Sequence, residues 1–539
     1  MPTDLYYPGV QTVEKAFQPG AVPGGTISTL GAFIGRSHQG PLSVTIVNSW
    51  AEFARHYGSN YTDLHNAVND FYTNGGNAAA IVRIPGTGAV PATHKVYDTT
   101  VIGTPAAQTP LFTATASNPG AWGNELKLVV TTRDATNKRF DVAVFRYPST
   151  EPTFDDEKRN TEWLLDQWID VTLDPNDARY FYAVANVPSN AGSVYVTFSG
   201  QSYNPATPAT RPMPGGAGGN DFTLGADGTY SGGYTAATAY GDAVAQLNEI
   251  DSPLILNLPN MTDGTILKNT ITAASNQQTT FVVVDSPANM PPTTGVGGIV
   301  DYVNTTLALG SLGASAPSFA GVYYPWLYMP ALGSAGGRQA LHPPGGAVVG
   351  AFLSTDAAYG AWRTPAGTQM IVAGASQSER KLTDADLTLL NNNHVNAIRY
   401  VNGRSTGRSG FAIMGGRTLK MFGLDKYISN RRSLIEIGSN LKQLTEFAIF
   451  ESNDARLWER LYSVCAAYLA SFWQSGGLKG ATANEAFYVT CDETINTPNM
   501  IEQGQVNVEC GIALTAPAEF VVITIGQYDG GTTVSTAGI

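Results

Sequence analysis

The chain has 539 residues, too many for one ordinary core, and its 43% hydrophobic and 10% aromatic content is ample for globular packing. Only 14% of its residues are charged, against roughly a quarter in typical soluble domains, as expected where other subunits cover much of the surface. A net charge of −12 excludes a general nucleic-acid binder, and Cys465, Cys491 and Cys510 form neither a disulfide framework nor a C-x-x-C metal pair.

The opening MPTDLYYPGV lacks the basic and apolar regions of a signal peptide. Residues 1–25 read as an extended N-terminal arm between the turn dipeptides Pro8-Gly9 and Pro23-Gly24, with Val10 and Val13 in its alternating stretch. From Thr26 the pattern becomes α/β. Residues 30–35 form a compact apolar strand, 49–58 a helix capped by Ser49 and Gly58, 63–76 a second helix, and 78–84 the next strand.

Residues 91–205 are β-rich, with runs at 124–132, 139–147, 178–186 and 192–198. They read as a β-sandwich-like insertion with one acidic helix at 162–169, followed by a Gly/Pro-rich linker at 206–234. The α/β pattern of 26–90 resumes over 235–400. It has a helix at 240–251, strands at 253–259, 279–287 and 319–330, a helix at 383–395 and the strand NAIRYV.

Residues 401–518 read as a C-terminal α+β domain. Its helix 452–477 places Leu457, Leu461, Cys465, Tyr468, Leu469 and Phe472 on one face, with Asn453 as cap and Gly476-Gly477 as stop. Val506, Val508, Cys510, Ile512 and Leu514 alternate as in a strand, and the cysteines read as small buried hydrophobes of a protein made in a reducing cytoplasm. A last strand, with Phe520, Val522, Ile523 and Ile525, opens the C-terminal segment 519–539. The longest apolar run, Val464 to Trp473, is half of a membrane span.

Gly403-Arg404-Ser405-Thr406-Gly407 spells the G-x-S-x-G elbow of serine hydrolases. That elbow needs a helix after it and a histidine downstream. The segment that follows is broken by Gly410, Gly415 and Gly416, and the last histidine is His394. The six histidines contain no H-x-x-x-H pair, and no phosphate-binding G-x-x-x-x-G-K motif occurs. The expectation is a protein that is not an enzyme, with no cofactor and no metal.

One electrostatic feature stands out. Arg399, Arg404, Arg408, Arg417, Lys420, Lys426, Arg431, Arg432 and Lys442 face only Asp425 and Glu436 within residues 399–442. Such a block suits contact with an acidic partner or pairing with the acidic remainder of the chain.

Many segments, in order, resemble tail sheath proteins of contractile bacteriophage tails and related injection machines. They include YYPGVQTVE, GAFIGRSHQGPLSVTIVNSWAEFARHYG, NPGAWGNELKL, YYPWLYM and PPGGAVVGAFLSTDAAYGAW, then GGRTL, YISNRR, FESNDARLWERL, GGLKG, CDETINTP and APAEFVVITIGQ. Thr364-Pro365-Ala366-Gly367 departs from the family's Ala-Pro-Ala-Asn.

The resemblance implies a subtilisin-like but non-catalytic α/β domain, with Ser405 a loop residue. It also implies self-assembly in helically stacked rings of six around a tail tube, with baseplate and terminator proteins as further partners, and no nucleic acid or membrane contact. Assembly would occur in the host bacterial cytoplasm and the finished protein would lie in the virion tail. The terminal arms would donate strands to neighbours, through Val10 and Val13 at one end and Phe520, Val522, Ile523 and Ile525 at the other. Arg431, Arg432, Lys442 and Lys479 are the candidates for facing an acidic tube. A β-rich shell or adhesin-like structural protein would share the low charge and the Gly/Pro content.

Overall fold

The computed structural model describes residues 28–58, 62–86, 88–97, 110–146, 164–186, 193–200, 220–221, 237–307, 312–333, 337–368, 370–402 and 408–515. The core begins with β1 (Leu30–Arg36), β2 (Thr45–Val47), α1 (Trp50–Tyr57), α2 (Asp63–Thr73) and β3 (Ala79–Ile84). Ser49 caps α1 by accepting from the Glu52 N–H, and Gly58 ends it at φ +76°, as the sequence predicts.

The insertion follows as two antiparallel sheets. One contains β4 (Thr93–Val96) and β5 (Phe112–Ala116). The other contains β6 (Leu126–Asp134), β7 (Arg139–Arg146) and β8 (Leu164–Val171). After α3 (Phe181–Ala185), β9 (Val196–Gly200) completes the first sheet and β10 (Asn220–Asp221) the second. Phe112, Phe140, Trp168, Phe181 and Phe198 fill the shared core, with the Phe181 and Phe198 rings 4.7 Å apart.

Two expectations are corrected here. The acidic helix at 162–169 is instead β8, because Trp168 enters the shared core and the segment pairs with β7 through two register shifts. The strand at 178–186 is instead α3, a short turn of helix that drives Phe181 into the middle of that core. In both places packing overrides local propensity.

Arg83, near the end of β3, ties the insertion to the core. Its buried guanidinium donates to the carbonyls of Ser37, His38, Gly40 and Pro119 at 2.7–3.0 Å. Arg146 adds a bond to the Gln39 side chain at 2.9 Å.

The core resumes with α4 (Ala237–Leu247), β11 (Leu254–Asn257), α5 (Gly264–Gln277) and β12 (Thr280–Asp285). The expected strand at 319–330 is two strands, β13 (Ala320–Tyr324) and β14 (Leu327–Pro330), separated at Pro325. The second joins β15 (Gln339–His342) and β16 (Gln377–Ser378) in a separate small sheet. Then come α6 (Gly345–Tyr359), α7 (Asp384–Asn392), β17 (Val395–Val401) and β18 (Gly410–Ile413).

The main sheet runs β18-β17-β13-β12-β11-β1-β3-β2. Its six inner strands are parallel, and each edge strand is antiparallel to its neighbour. β3, β11, β12 and β13 are buried at every residue, the continuous apolar run of a sheet covered on both faces. The core passes the expected boundary at 400: β18 belongs to its sheet, and Leu419, Ile428 and Ile435 pack with it.

The C-terminal part comprises α8 (Ile428–Thr445), α9 (Ala455–Gln474), β19 (Phe487–Thr490) and β20 (Glu509–Ile512). The buried residues of α9 are Leu457, Leu461, Cys465, Tyr468, Leu469 and Phe472, the face read from its spacing. Its cap is Asp454, which accepts from the Arg456 and Leu457 N–H groups, rather than Asn453, whose side chain accepts from the Trp458 indole. No helix among the described residues is long and apolar enough to cross a membrane.

Candidate functional site: a filled crevice, two buried arginines and an open sheet

In an open parallel sheet, ligands bind beyond the carboxyl ends of the strands where the strand order reverses. Here the chain runs outward from β1 through β3 on one side and through β11, β12 and β13 on the other, so the reversal lies between β1 and β11. That crevice is occupied by the protein itself. Asp285, the last residue of β12, accepts from the Gly345 N–H at 2.7 Å, from the Asn257 amide at 3.2 Å and from the Asn260 N–H at 3.3 Å. A Cβ on Gly345 would stand 2.1 Å from the Asn257 side chain, and one on Gly346 would stand 2.2 Å from the Ala67 carbonyl oxygen. The bare start of α6 therefore fills the space a substrate would need. Burial lifts the Asp285 carboxyl to about 7.

His342 and Asp70 form a second buried pair, Nδ1 to Oδ2 at 2.8 Å, which ties β15 to α2. The Nε2 of His342 faces no hydrogen-bond partner. Ser405, the residue of the hydrolase-like motif, lies outside the described residues.

Two members of the basic block, Arg431 and Arg432, are internal. Arg431 is 7% exposed and Arg432 4%, so neither faces outward as expected. Arg431 donates to Asp425 at 2.7 Å and lies 4.3 Å over the Phe319 ring. Arg432 grips both oxygens of Asp356, the first at 2.8 Å, and lies 4.7 Å over Phe352. Lys420 also pairs with Asp425 at 3.2 Å, and Arg399 with Asp384. The Arg432–Asp356 pair and the stacking of Arg431 on Phe319 join the start of α8 to the core; Lys420 and Arg431 are met by Asp425 within the block itself, and Arg432 and Arg399 by the acids Asp356 and Asp384 outside it.

A sequence signal for this exists. Ile428 and Ile435 are seven residues apart, and positions 431 and 432 fall on the stripe between them, the inward face of a helix. Of the four basic candidates, Lys442 and Lys479 remain exposed. Apolar side chains that sequence reasoning passed over are exposed nearby in sequence: Met421, Phe422 and Leu424 before α8, and Ile449 and Phe450 after it.

β19 and β20 pair antiparallel, with Phe487 opposite Ile512 and Thr490 opposite Glu509. Among the described residues they pair with no third strand. An isolated two-stranded ribbon is marginal in water. This one shares an apolar cluster with α9, in which Phe487, Val489, Cys510 and Ile512 pack together with Tyr468, Leu469 and Phe472. The strand-forming positions expected to act as donors, Val10, Val13, Phe520, Val522, Ile523 and Ile525, lie outside the described residues.

Residues 426–527 match the family described as the phage tail sheath C-terminal domain. No curated protein matches the chain. Among solved structures, the helical sheath of the anti-feeding prophage in its contracted state is 19% identical, with a TM-score of 0.53 over 96% of this chain and 99% of that one. The sheath tail protein Lin1278 of Listeria innocua is 12% identical, with a TM-score of 0.57 over 88% and 91%. The sheath tail protein DSY3957 of Desulfitobacterium hafniense is 15% identical, with a TM-score of 0.52 over 90% and 94%. Residues 426–527 are thus similar to the phage tail sheath C-terminal domain, and over its length the chain has the mixed α/β fold of tail sheath proteins from contractile injection systems.

Proposed function

We propose that this chain is the repeating subunit of a contractile tail sheath, assembled in the host cytoplasm as helically stacked rings of six around a tail tube. Contraction would drive the tube through the host envelope, with the sheath anchored to a baseplate and ended by a terminator protein. The α/β core would be a subtilisin-like scaffold without catalysis, carrying the β-sandwich-like insertion. Lys442 and Lys479 would face an acidic tube.

The observation that carries this reading is the two-stranded sheet β19–β20, which has strand edges open to pairing among the described residues. It lies in the segment that matches the sheath C-terminal domain. The strand-forming segments around Val10 to Val13 and Phe520 to Ile525 suit those edges as donors from neighbouring copies, by β-strand addition. If each main-chain bond contributes roughly 0.5–1.5 kcal/mol net, a strand making about five contributes a few kcal/mol per junction. Such a junction outlasts softer ring-to-ring contacts as the lattice changes length.

Deleting residues 1–18 should give a chain that keeps its circular dichroism spectrum and melting temperature but stays monomeric by light scattering and electron microscopy. Tubes assembled from the deleted chain would refute strand donation by the N-terminal arm.

A further inference from the structure

The cysteines, spread over the C-terminal sequence, converge in the fold. Cys465 is on the buried face of α9, Cys510 is in β20, and Cys491 directly follows β19. All three are free thiols. Cys510 packs in the cluster of Tyr468 and Leu469, which stand three and four residues after Cys465 on the helix. Cys491 packs in the cluster of Leu461, four residues before Cys465. Of the two, Cys510 makes the direct contact: its side chain and that of Cys465 meet thiol to thiol in a hydrogen bond. The Cys491 sulfur is instead met by the Asn496 amide at 3.9 Å.

The paired thiols differ in access and in acidity. Cys465 is 2% exposed, whereas Cys510 is only partly buried, so a reagent in solution reaches Cys510 first. The hydrogen bond from Cys465 holds the Cys510 thiol below the ordinary range, against burial and the nearby charge of Glu509. The same bond, followed by burial, pushes the Cys465 thiol up. The thiolate therefore forms at the accessible sulfur and the proton stays on the buried one, the division between an attacking and a resolving cysteine.

We propose that Cys465 and Cys510 are a redox staple, which a small disulfide of the oxidised-glutathione class closes into a bond tying β20 to α9. The Cys510 thiolate attacks one sulfur of the reagent, forming a mixed disulfide and releasing the other half as a thiol. Cys465 loses its proton and attacks the Cys510 sulfur, which expels the second half. Two protein thiols are oxidised and one reagent disulfide is reduced to two thiols. The bond closes a loop that contains β19 as well as β20, so it restrains the whole ribbon. Any effect on assembly rests on the reading of this ribbon as a strand acceptor; formation of the bond does not.

The full-length chain is incubated with excess oxidised glutathione at pH 8, then alkylated with iodoacetamide in urea. Digestion uses trypsin, which cuts after Arg460 and Lys479, with a protease that cuts before Asp492, so each cysteine falls on its own peptide. Mass spectrometry should find the Cys465 and Cys510 peptides joined and Cys491 alkylated, in a chain that runs as a monomer on a non-reducing gel. Cys491→Ser should leave the joined peptides in place, and Cys510→Ser should leave Cys465 alkylated. Amide exchange over 509–512 should slow at least about tenfold in the oxidised chain, and dithiothreitol should restore the original rate. Glutathione retained on Cys510 beside an alkylated Cys465, a bond from Cys465 to Cys491, a covalent dimer, or three alkylated cysteines would each overturn the proposal. So would a joined pair with unchanged exchange, which would leave β20 unrestrained. None of these readouts depends on assembly.

Discussion

Asp285 sits fully buried at the end of β12, where it holds the Gly345 N–H and the Asn257 and Asn260 donors. Its carboxyl titrates at about 7 when folded, against 3.8 as a free side chain. Between those values the folded chain binds the proton more tightly than the unfolded chain, so stability falls as pH rises from about 4 to about 7 and then levels. Glu436, lifted from 4.5 to about 7, acts in the same direction. Carboxylates held low by hydrogen bonds, such as Asp386 with Thr383, lose stability only below their free value of 3.8 and do not interfere above pH 5. Burial lowers His65 to about 4, which acts in the opposite direction between about pH 4 and 6.5, so the Asp285 and Glu436 contributions, on the order of a few kcal/mol in favour of pH 5 over pH 8, are partly offset in the urea midpoint of the wild type. Asp285→Asn should shift the difference between pH 5 and pH 8 toward pH 8, leaving the opposed shares of Glu436 and His65. An unchanged difference in the variant would mean that Asp285 is not the group that titrates.

Element by element, the helix α9 holds the C-terminal part together, since Tyr468, Leu469 and Phe472 of its apolar face share one cluster with residues of both β19 and β20. Leu469→Ala is expected to cost about 2–5 kcal/mol and to expose the β19–β20 ribbon, seen as faster amide exchange at 487–490 and 509–512. Exchange unchanged there, with stability lost, would show that the ribbon stands without the helix. This face was legible because α9 is half-exposed and its period of 3.6 is written in the sequence. By contrast, α6 reads GGAVVGAFLSTDAAY and is buried on nearly every side over its first eleven residues, so it has no periodic face to find. β8 and α3 are not legible locally, because Trp168 and Phe181 are placed by a shared aromatic core that no local window contains. The filled crevice was likewise invisible: Asn257, Asp285 and Gly345 are far apart in sequence, and only the strand order brings them together. Arg431 and Arg432 are legible in principle, because their spacing from Ile428 and Ile435 puts them on the inward face of α8.

For the whole molecule, the question is whether the strand expected from the sequence at 519–527 belongs to its own fold or to a neighbour's. The core sheet closes without it, with antiparallel strands β2 and β18 at its edges, and the insertion has its own aromatic core. In the C-terminal part, the contacts that hold β20 among the described residues are made before residue 515. β20 pairs with β19, Leu514 bridges Leu478, and Ala513 exchanges bonds with Ala486 and Lys479. Removing residues 516–539 therefore takes nothing from this network. The shortened chain is expected to fold and melt within about 1 kcal/mol of the full one, a change of the size seen for surface substitutions, yet to lose assembly. A peptide of residues 516–527 should then bind the shortened chain in trans and add extended-strand signal in the amide I band. If the shortened chain instead loses the cooperative unfolding of α9, the segment completes its own domain, and the connection between subunits must run through the N-terminal arm alone.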